Sequence, residues 1–243
     1  MEIPSNVSVF ETPVQLAVGA AERFVEYARD FHNELGSFSV ALAGGRTPKR
    51  VYELLATEQF QDRVAWPRVH LFFGDERCVP PDHPDSNYAM AFRALLSKVP
   101  IPEANVYRIV GEGDPADSAR DYEAILRKFF GPMAWPRFDL VLLGMGDDGH
   151  TASLFPESNT LEETSRLVVP TKSSQGQCRI TLTPRAFDHA ALIIFLVTGE
   201  EKAATFSSVV KRQSSSRRLP ASFIKPIDGT LEWFVDSKAA SGL

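Results

Sequence analysis

Between residues 14 and 35, Ala17, Ala21, Phe24, Ala28, Phe31 and Leu35 recur at alternating steps of four and three, with charged residues between them. That spacing lays them along one stripe of a helix, so a long amphipathic helix is predicted here. Similar spacing predicts helices around Val51, Leu54 and Leu55, around Tyr88, Phe92 and Leu95, and around Tyr122, Leu126 and Phe129. Between these helices lie continuous apolar runs at 38–43, 69–73, 138–143 and 190–197. None alternates with polar residues. Strands that are apolar on both faces belong in the middle of a sheet covered by helices on each side, so an α/β fold with a largely parallel sheet is predicted. The runs end in polar punctuation: Ala43 meets Gly44-Gly45, Phe73 meets Gly74-Asp75, Leu143 meets Gly144, and Val197 meets Thr198-Gly199. Polar groups therefore collect past the carboxyl ends of the strands, the edge where open α/β sheets bind ligands.

Composition narrows the class. The 243 residues are 44% hydrophobic and 23% charged, a globular balance that excludes collagen-like, coiled-coil and wholly disordered chains. No internal repeat is present, and the biased stretch Ser214-Ser215-Ser216 is too short to divide the chain, so one domain spanning 1–243 is expected. The longest apolar run, 190–197, is far short of the roughly 20 residues of a membrane-spanning helix. Glu2 stands where a secretory leader would carry Lys or Arg, so no targeting segment is read and a cytoplasmic location is expected. The net charge is −5, and the basic cluster of Lys211, Arg212, Arg217 and Arg218 reads as a solvated loop, so neither nucleic acid nor membrane is an expected partner. Cys78 and Cys178 form no C-x-x-C pair, which leaves no disulfide framework or zinc knuckle and favours a reducing compartment. The helix stripes do not separate core from subunit contact, so the assembly is expected to be a monomer or a small homo-oligomer.

Four constellations can carry chemistry. Gly44-Gly45-Arg46-Thr47-Pro48 joins a strand to a helix: glycines permit close backbone approach, Thr47 can cap, and Pro48 suits the first turn. The alternatives are a phosphate seat on a helix N-terminus and a plain tight turn. Gly74-Asp75-Glu76-Arg77 puts three charges at the end of a buried strand, which requires either ion pairing of Arg77 with Asp75 or Glu76, or a ligand for Arg77. Ser86 or Asp85 in the loop that follows can cap the next helix. Gly144-Met145-Gly146-Asp147-Asp148-Gly149-His150 matches the spacing of a dinucleotide loop, but Pro156 stops any helix within two turns and no βαβ unit continues from it. His150, two residues after Asp148 on a backbone-exposing loop, is arranged for general-base work. Arg179 opens one strand and Lys202 follows another, so both can project to the edge that carries Gly45 and Thr47. His70, His83 and His189 have no comparable setting. There is no G-x-S-x-G elbow, which argues against a serine nucleophile.

Leu42-Ala43-Gly44-Gly45-Arg46-Thr47-Pro48, Phe73-Gly74-Asp75-Glu76-Arg77-Cys78-Val79-Pro80 with Asp85-Ser86-Asn87, and the run from Leu143 through Asp148-Gly149-His150-Thr151-Ala152-Ser153 to Pro156 closely resemble the 6-phosphogluconolactonase family in order and spacing. The resemblance extends through Arg179-Ile180-Thr181, Thr198-Gly199-Glu200-Glu201-Lys202 and Trp233-Phe234-Val235-Asp236. It implies a single-domain three-layer sandwich of modified Rossmann type, related to glucosamine-6-phosphate deaminase and ribose-5-phosphate isomerase. The implied reaction is hydrolysis of 6-phospho-D-glucono-1,5-lactone to 6-phosphogluconate, in the oxidative branch of the pentose phosphate pathway, with no metal and no cofactor. The implied roles are His150 as base, Asp148 as its orienting group, Arg77 as oxyanion donor positioned by Asp75, and a phosphate seat of Gly44, Gly45, Arg46, Thr47, Arg179 and Lys202. Ala43 and Arg46 replace serines common in the family. The deaminase relatives carry a glutamate five residues after the histidine, where this chain has Phe155.

Overall fold

The computed structural model describes residues 3–34, 36–132, 135–156, 158–212 and 219–243. The expectations at Leu35, Ser214-Ser215-Ser216 and Arg217-Arg218, and for the side chain of Phe31, lie outside what is described.

Chain order begins β1 (Val7–Phe10), α1 (Pro13–Glu34), β2 (Phe38–Leu42), α2 (Arg46–Leu55), β3 (Val69–Phe73) and β4 (Asp75–Arg77). It continues through α3 (Asn87–Ala91), β5 (Val106–Tyr107), α4 (Pro115–Phe130), β6 (Leu140–Gly144), β7 (Val168–Lys172) and β8 (Cys178–Leu182). The last elements are α5 (Pro184–Asp188), β9 (Leu192–Val197), α6 (Ala203–Val210) and β10 (Thr230–Asp236). Seven strands form one parallel sheet in the order β1-β10-β9-β6-β2-β3-β5. The four apolar runs supply β2, β3, β6 and β9, four of the five inner strands, and their side chains are almost wholly buried. Burying both faces requires helices on both sides, and right-handed crossovers put α1 and α2 on one face with α4 and α6 on the other. The result is the expected three-layer α/β sandwich.

The stripe of α1 is core as predicted: Ala17, Ala21, Phe24 and Ala28 are at most 1% exposed. Phe24 meets Phe38 edge to face at 5.4 Å and lies 6.1 Å from Trp66, which ties α1 to β2. Around Tyr88 the predicted helix is shorter than its spacing suggests. Residues 87–91 are α-helical, and 92–96 continue as one π-helical turn.

A second, antiparallel sheet, β4-β8-β7, was not predicted. Its strand β4 is the charged segment Asp75-Glu76-Arg77, which carries no apolar signal. It pairs with β8 in the register Asp75 to Thr181, Glu76 to Ile180 and Arg77 to Arg179. This sheet stands beyond the carboxyl end of β3 and walls one side of the site.

Candidate active site

The strand order reverses between β2 and β6, because the chain leaves β2 toward β3 on one side and leaves β6 toward β9 on the other. The loops after these two strands diverge and open a crevice at the carboxyl edge. A cavity of about 310 Å³ occupies it, lined by Gly44, Gly45, Arg46, Thr47, Asp75, Arg77, Asn87, Gly146, His150, Ala152 and Lys202 among others. A wider groove of about 1050 Å³ runs along the amino-terminal half of β10 past Phe223 and Trp233, but it gathers no comparable set of acids, bases and cations.

Past β2, the backbone of Ala43 is held at both ends by one buried hydroxyl: its N–H donates to Tyr52 Oη at 2.9 Å, and Tyr52 Oη donates to its carbonyl at 2.8 Å. Gly45 then adopts φ +99°, a conformation a side chain would strain, and serves as the N-cap of α2 without any side-chain cap. Thr47 therefore does not cap the helix as the sequence suggested. Its Oγ1 instead lies 2.8 Å from Thr198 Oγ1 at the end of β9. The first-turn N–H groups of Arg46 and Thr47 have no partner within the helix, and these residues line the cavity at the positive end of the helix dipole. A Cβ at Gly44 would fall 2.0 Å from Asn87 Oδ1, so a side chain there would displace the amide that holds Asp75.

Arg77 pairs with neither Asp75 nor Glu76. Its Nη1 donates to the carbonyl of Asp85, and its Nε is buried with no hydrogen-bond partner among the described residues. Glu76, 2% exposed, faces the opposite side of β4 and anchors the start of α3. Its carboxylate accepts from the backbone N–H groups of Arg77, Asn87 and Tyr88 at 2.7–2.8 Å and from Ser86 Oγ at 3.0 Å. Burial pushes its pKa up while these bonds oppose the rise. Ser86 is the cap of α3, accepting from Ala89 N at 3.0 Å. Asp75 is oriented by Asn87 Nδ2, which donates to its Oδ1 at 3.0 Å and to its carbonyl at 2.9 Å, and by Ser153 Oγ, 2.5 Å from its Oδ2.

The loop after β6 folds tightly around His150. Asp148 Oδ1 accepts from His150 N at 3.0 Å and lies 2.6 Å from His150 Nδ1. The hydrogen bond from the ring lowers the Asp148 pKa most, against desolvation, so this carboxyl is ionised. Gly146 leaves room for the pair, since a Cβ there would fall 2.2 Å from His150 Nδ1. Thr205 Oγ1 holds the carbonyl of Asp147 at 2.6 Å, and Ala221 N that of Gly149 at 3.0 Å. Ala152 takes φ +48°, strained for a residue with a Cβ, and this turn delivers Ser153 to Asp75. The ring of Phe155 lies 5.2 Å from that of His150.

Lys202 reaches the cavity from the turn after β9, where Asp236 accepts from Gly199 N at 3.1 Å and fixes the turn. Desolvation lowers the Lys202 pKa, the signature of a cation drawn out of water. Arg179 does not line the cavity. It faces Arg77 across β4 and β8, and its guanidinium donates to Gln177 Oε1 at 2.7 Å and to the Cys178 carbonyl at 2.9 Å. The remaining predicted residues, Gly44, Gly45, Arg46, Thr47, Asp75, Arg77, His150 and Lys202, line one cavity, with Asp148 bonded behind His150. Sequence reasoning gave no role to Ser153 or Asp236 and none beyond the motif to Asn87, because each acts on a partner distant in the chain. Among the described residues, no group of three or more His, Cys, Asp and Glu side chains is arranged to hold a metal ion.

Residues 11–233 match the family model described as glucosamine-6-phosphate isomerases/6-phosphogluconolactonase. A 6-phosphogluconolactonase of Synechocystis is 42% identical over 86% of this chain and 86% of its own length. One from Rattus norvegicus is 38% identical over 98% of this chain and 93% of its own. Among solved structures, the 6-phosphogluconolactonase from Trypanosoma cruzi superposes with a TM-score of 0.87 at 32% identity, covering 100% of this chain and 98% of that one. A monomeric glucosamine-6-phosphate deaminase shares the fold, with a TM-score of 0.82 at 19% identity over 98% of this chain and 100% of that one.

Proposed function

The chain belongs to the glucosamine-6-phosphate isomerase/6-phosphogluconolactonase family, and from that premise we propose that it hydrolyses 6-phospho-D-glucono-1,5-lactone to 6-phosphogluconate by direct attack of water. The observation that carries the reading is that the His150–Asp148 pair opens onto the same cavity as the anion-seating start of α2. With Nδ1 engaged by Asp148, His150 presents Nε2 to a water molecule beside the lactone carbonyl. The imidazole takes a proton as the water oxygen bonds to C1, and the ionised Asp148 stabilises the imidazolium. Negative charge gathers on the carbonyl oxygen, where the Arg77 guanidinium donates to it. One preorganised donor of this kind contributes roughly 3–4 kcal/mol to the barrier reduction. As the tetrahedral intermediate collapses, the C1–ring-oxygen bond breaks and the imidazolium returns its proton to the departing oxygen. Asp75, clamped by Asn87 and Ser153, fixes the start of β4, the strand from which Arg77 projects.

The 6-phosphate rests on the N–H groups at the start of α2 with Lys202 and Arg46, and Arg179 adds positive potential behind Arg77. Phosphate binding at this distance from the reacting carbon orients the lactone. Deaminase or isomerase chemistry would require a carboxylate where the ring of Phe155 packs against His150.

The test is the rate of loss of the phosphorylated lactone above its spontaneous rate, for wild type and His150→Asn, with non-phosphorylated gluconolactone as control. Wild type accelerates the loss, and the substitution costs about 10²–10⁴-fold in kcat. Full turnover by His150→Asn would remove the base assignment. Equal turnover of the non-phosphorylated lactone would remove the phosphate seat.

A further inference from the structure

Cys78 and Cys178 are 100 residues apart in sequence, yet the ladder that pairs Arg77 with Arg179 sets them directly opposite one another. That ladder continues past the named strand ends on both sides: Leu182 N donates to the carbonyl of Gly74 at 2.9 Å, and Cys78 N donates to the carbonyl of Cys178 at 3.3 Å. Facing residues of an antiparallel hydrogen-bonded pair stand about 5.5 Å apart at Cα, inside the span a disulfide bridges. Both thiols are free and partly exposed. Alternation along β4 sends Asp75 and Arg77 to the cavity and puts Cys78 on the other face with Glu76. Residue 111 packs closely on the free edge of this segment, since a Cβ on Gly111 would fall 2.3 Å from the carbonyl of Arg77.

We propose that Cys78 and Cys178 form a reversible dithiol–disulfide site that controls the strand carrying Arg77. The oxidant is a low-molecular-weight disulfide such as glutathione disulfide. Burial and the neighbouring thiol push Cys78 up to about 12, and one of the two sulfurs makes the first attack as its thiolate. That thiolate forms a mixed disulfide and releases one glutathione. The other cysteine then attacks the sulfur that carries the glutathione, the Sγ–Sγ bond forms, and the second glutathione leaves. The protein gives up two electrons and two protons, which the two released thiols carry away. The new bond clamps β4 to β8 immediately beyond the Arg77–Arg179 pair and takes from Arg77 the freedom to follow the developing oxyanion. The effect on turnover rests on the role given to Arg77 above.

The experiment equilibrates the intact protein in glutathione buffers from reducing to oxidising, then reads trapped thiols by mass, hydrogen exchange of peptides covering 75–79, and lactone turnover. The expected wild type loses both alkylatable thiols without gaining glutathione, slows exchange across 75–79, and loses about tenfold in kcat with KM unchanged, in keeping with a slightly misplaced group. Dithiothreitol restores all three readings. Cys78→Ser and Cys178→Ser keep the turnover of the reduced wild type and gain only a glutathione adduct. Wild type carrying glutathione adducts without an internal disulfide overturns the proposal, as does a disulfide that leaves exchange across 75–79 unchanged. If the reduced protein does not hydrolyse the lactone, the functional reading fails, while mass and exchange still decide the disulfide.

Discussion

Asp148 performs two tasks with one oxygen: Oδ1 fixes the backbone of His150 through its N–H and the ring through Nδ1. An amide at this position can keep both contacts while losing the charge proposed above to stabilise the imidazolium. Asp148→Asn is therefore expected to lower kcat by about 10²-fold, within the range of impaired general-base catalysis, and to leave KM unchanged because the proposed phosphate seat is on other elements. Initial rates corrected for spontaneous hydrolysis measure it, and a kcat within twofold of wild type would detach Asp148 from the chemistry. These two residues were legible in the sequence because an acid and a histidine two positions apart on a glycine-rich loop restrict their own geometry. Asn87 and Ser153 were not. Their common partner, Asp75, lies 12 and 78 residues away, and nothing local to an Asn or a Ser announces a partner that only the fold supplies. The charged triplet at 75–77 was legible only as an unresolved choice, since ion pairing and ligand contact place the same residues at a strand end.

Two buried tyrosines set the ends of the strands that carry the site. Tyr52 of α2 holds both backbone groups of Ala43. Tyr122 of α4 accepts from Phe73 N at 2.8 Å and donates toward the carbonyls of Phe73 and Tyr107 at 3.2 and 3.3 Å. At these positions the ladder ends and peptide groups would otherwise lie buried without partners. Each Tyr→Phe substitution strands such groups, so a loss of about 1–3 kcal/mol of stability is expected from either. Their kinetic effects should differ. Ala43 leads into the 44–47 turn, so Tyr52→Phe is expected to raise KM for the phosphorylated lactone several-fold at nearly constant kcat. Phe73 leads into Asp75 and Arg77, so Tyr122→Phe is expected to lower kcat instead. Denaturant unfolding together with steady-state kinetics on both variants gives the comparison, and identical kinetic profiles would show that the hydroxyls only stabilise the fold. The inner strands β2, β3, β6 and β9 were legible because burial on both faces makes them continuous apolar runs; β10, also inner but with Thr230 and Glu232 among its residues, was not. The edge strand β1, with four residues and Ser8 among them, and β4, with three charges, carry no such signal. They are strands because of their neighbours.

At the scale of the molecule, a chain with net charge −5 collects Arg46, Lys202 and Arg77 on one crevice at the switch point between β2 and β6, with Arg179 beside Arg77. The fold positions these cations: Arg46 and Lys202 follow β2 and β9 of the parallel sheet, Arg77 and Arg179 face each other across β4 and β8 of the antiparallel one, and Lys202 gives up part of its hydration there. Gathering like charges costs stability until an anion arrives, so a ligand with a phosphate should stabilise the folded state measurably. At a concentration near 100 Kd, linkage gives about 2.7 kcal/mol, which for a chain of this size raises Tm by roughly 5–10 °C. The product 6-phosphogluconate is the suitable probe, with gluconate as the matched ligand lacking phosphate and sodium chloride at equal ionic strength as the screen for diffuse charge effects. Wild type should show the shift with 6-phosphogluconate and little with gluconate or salt, and Lys202→Ala should lose most of it at the same concentration. Because the measurement is thermal, it reads the phosphate seat without involving His150. Equal shifts from gluconate and 6-phosphogluconate would mean that the sugar acid alone is recognised. An undiminished shift in Lys202→Ala would move the seat away from the turn after β9.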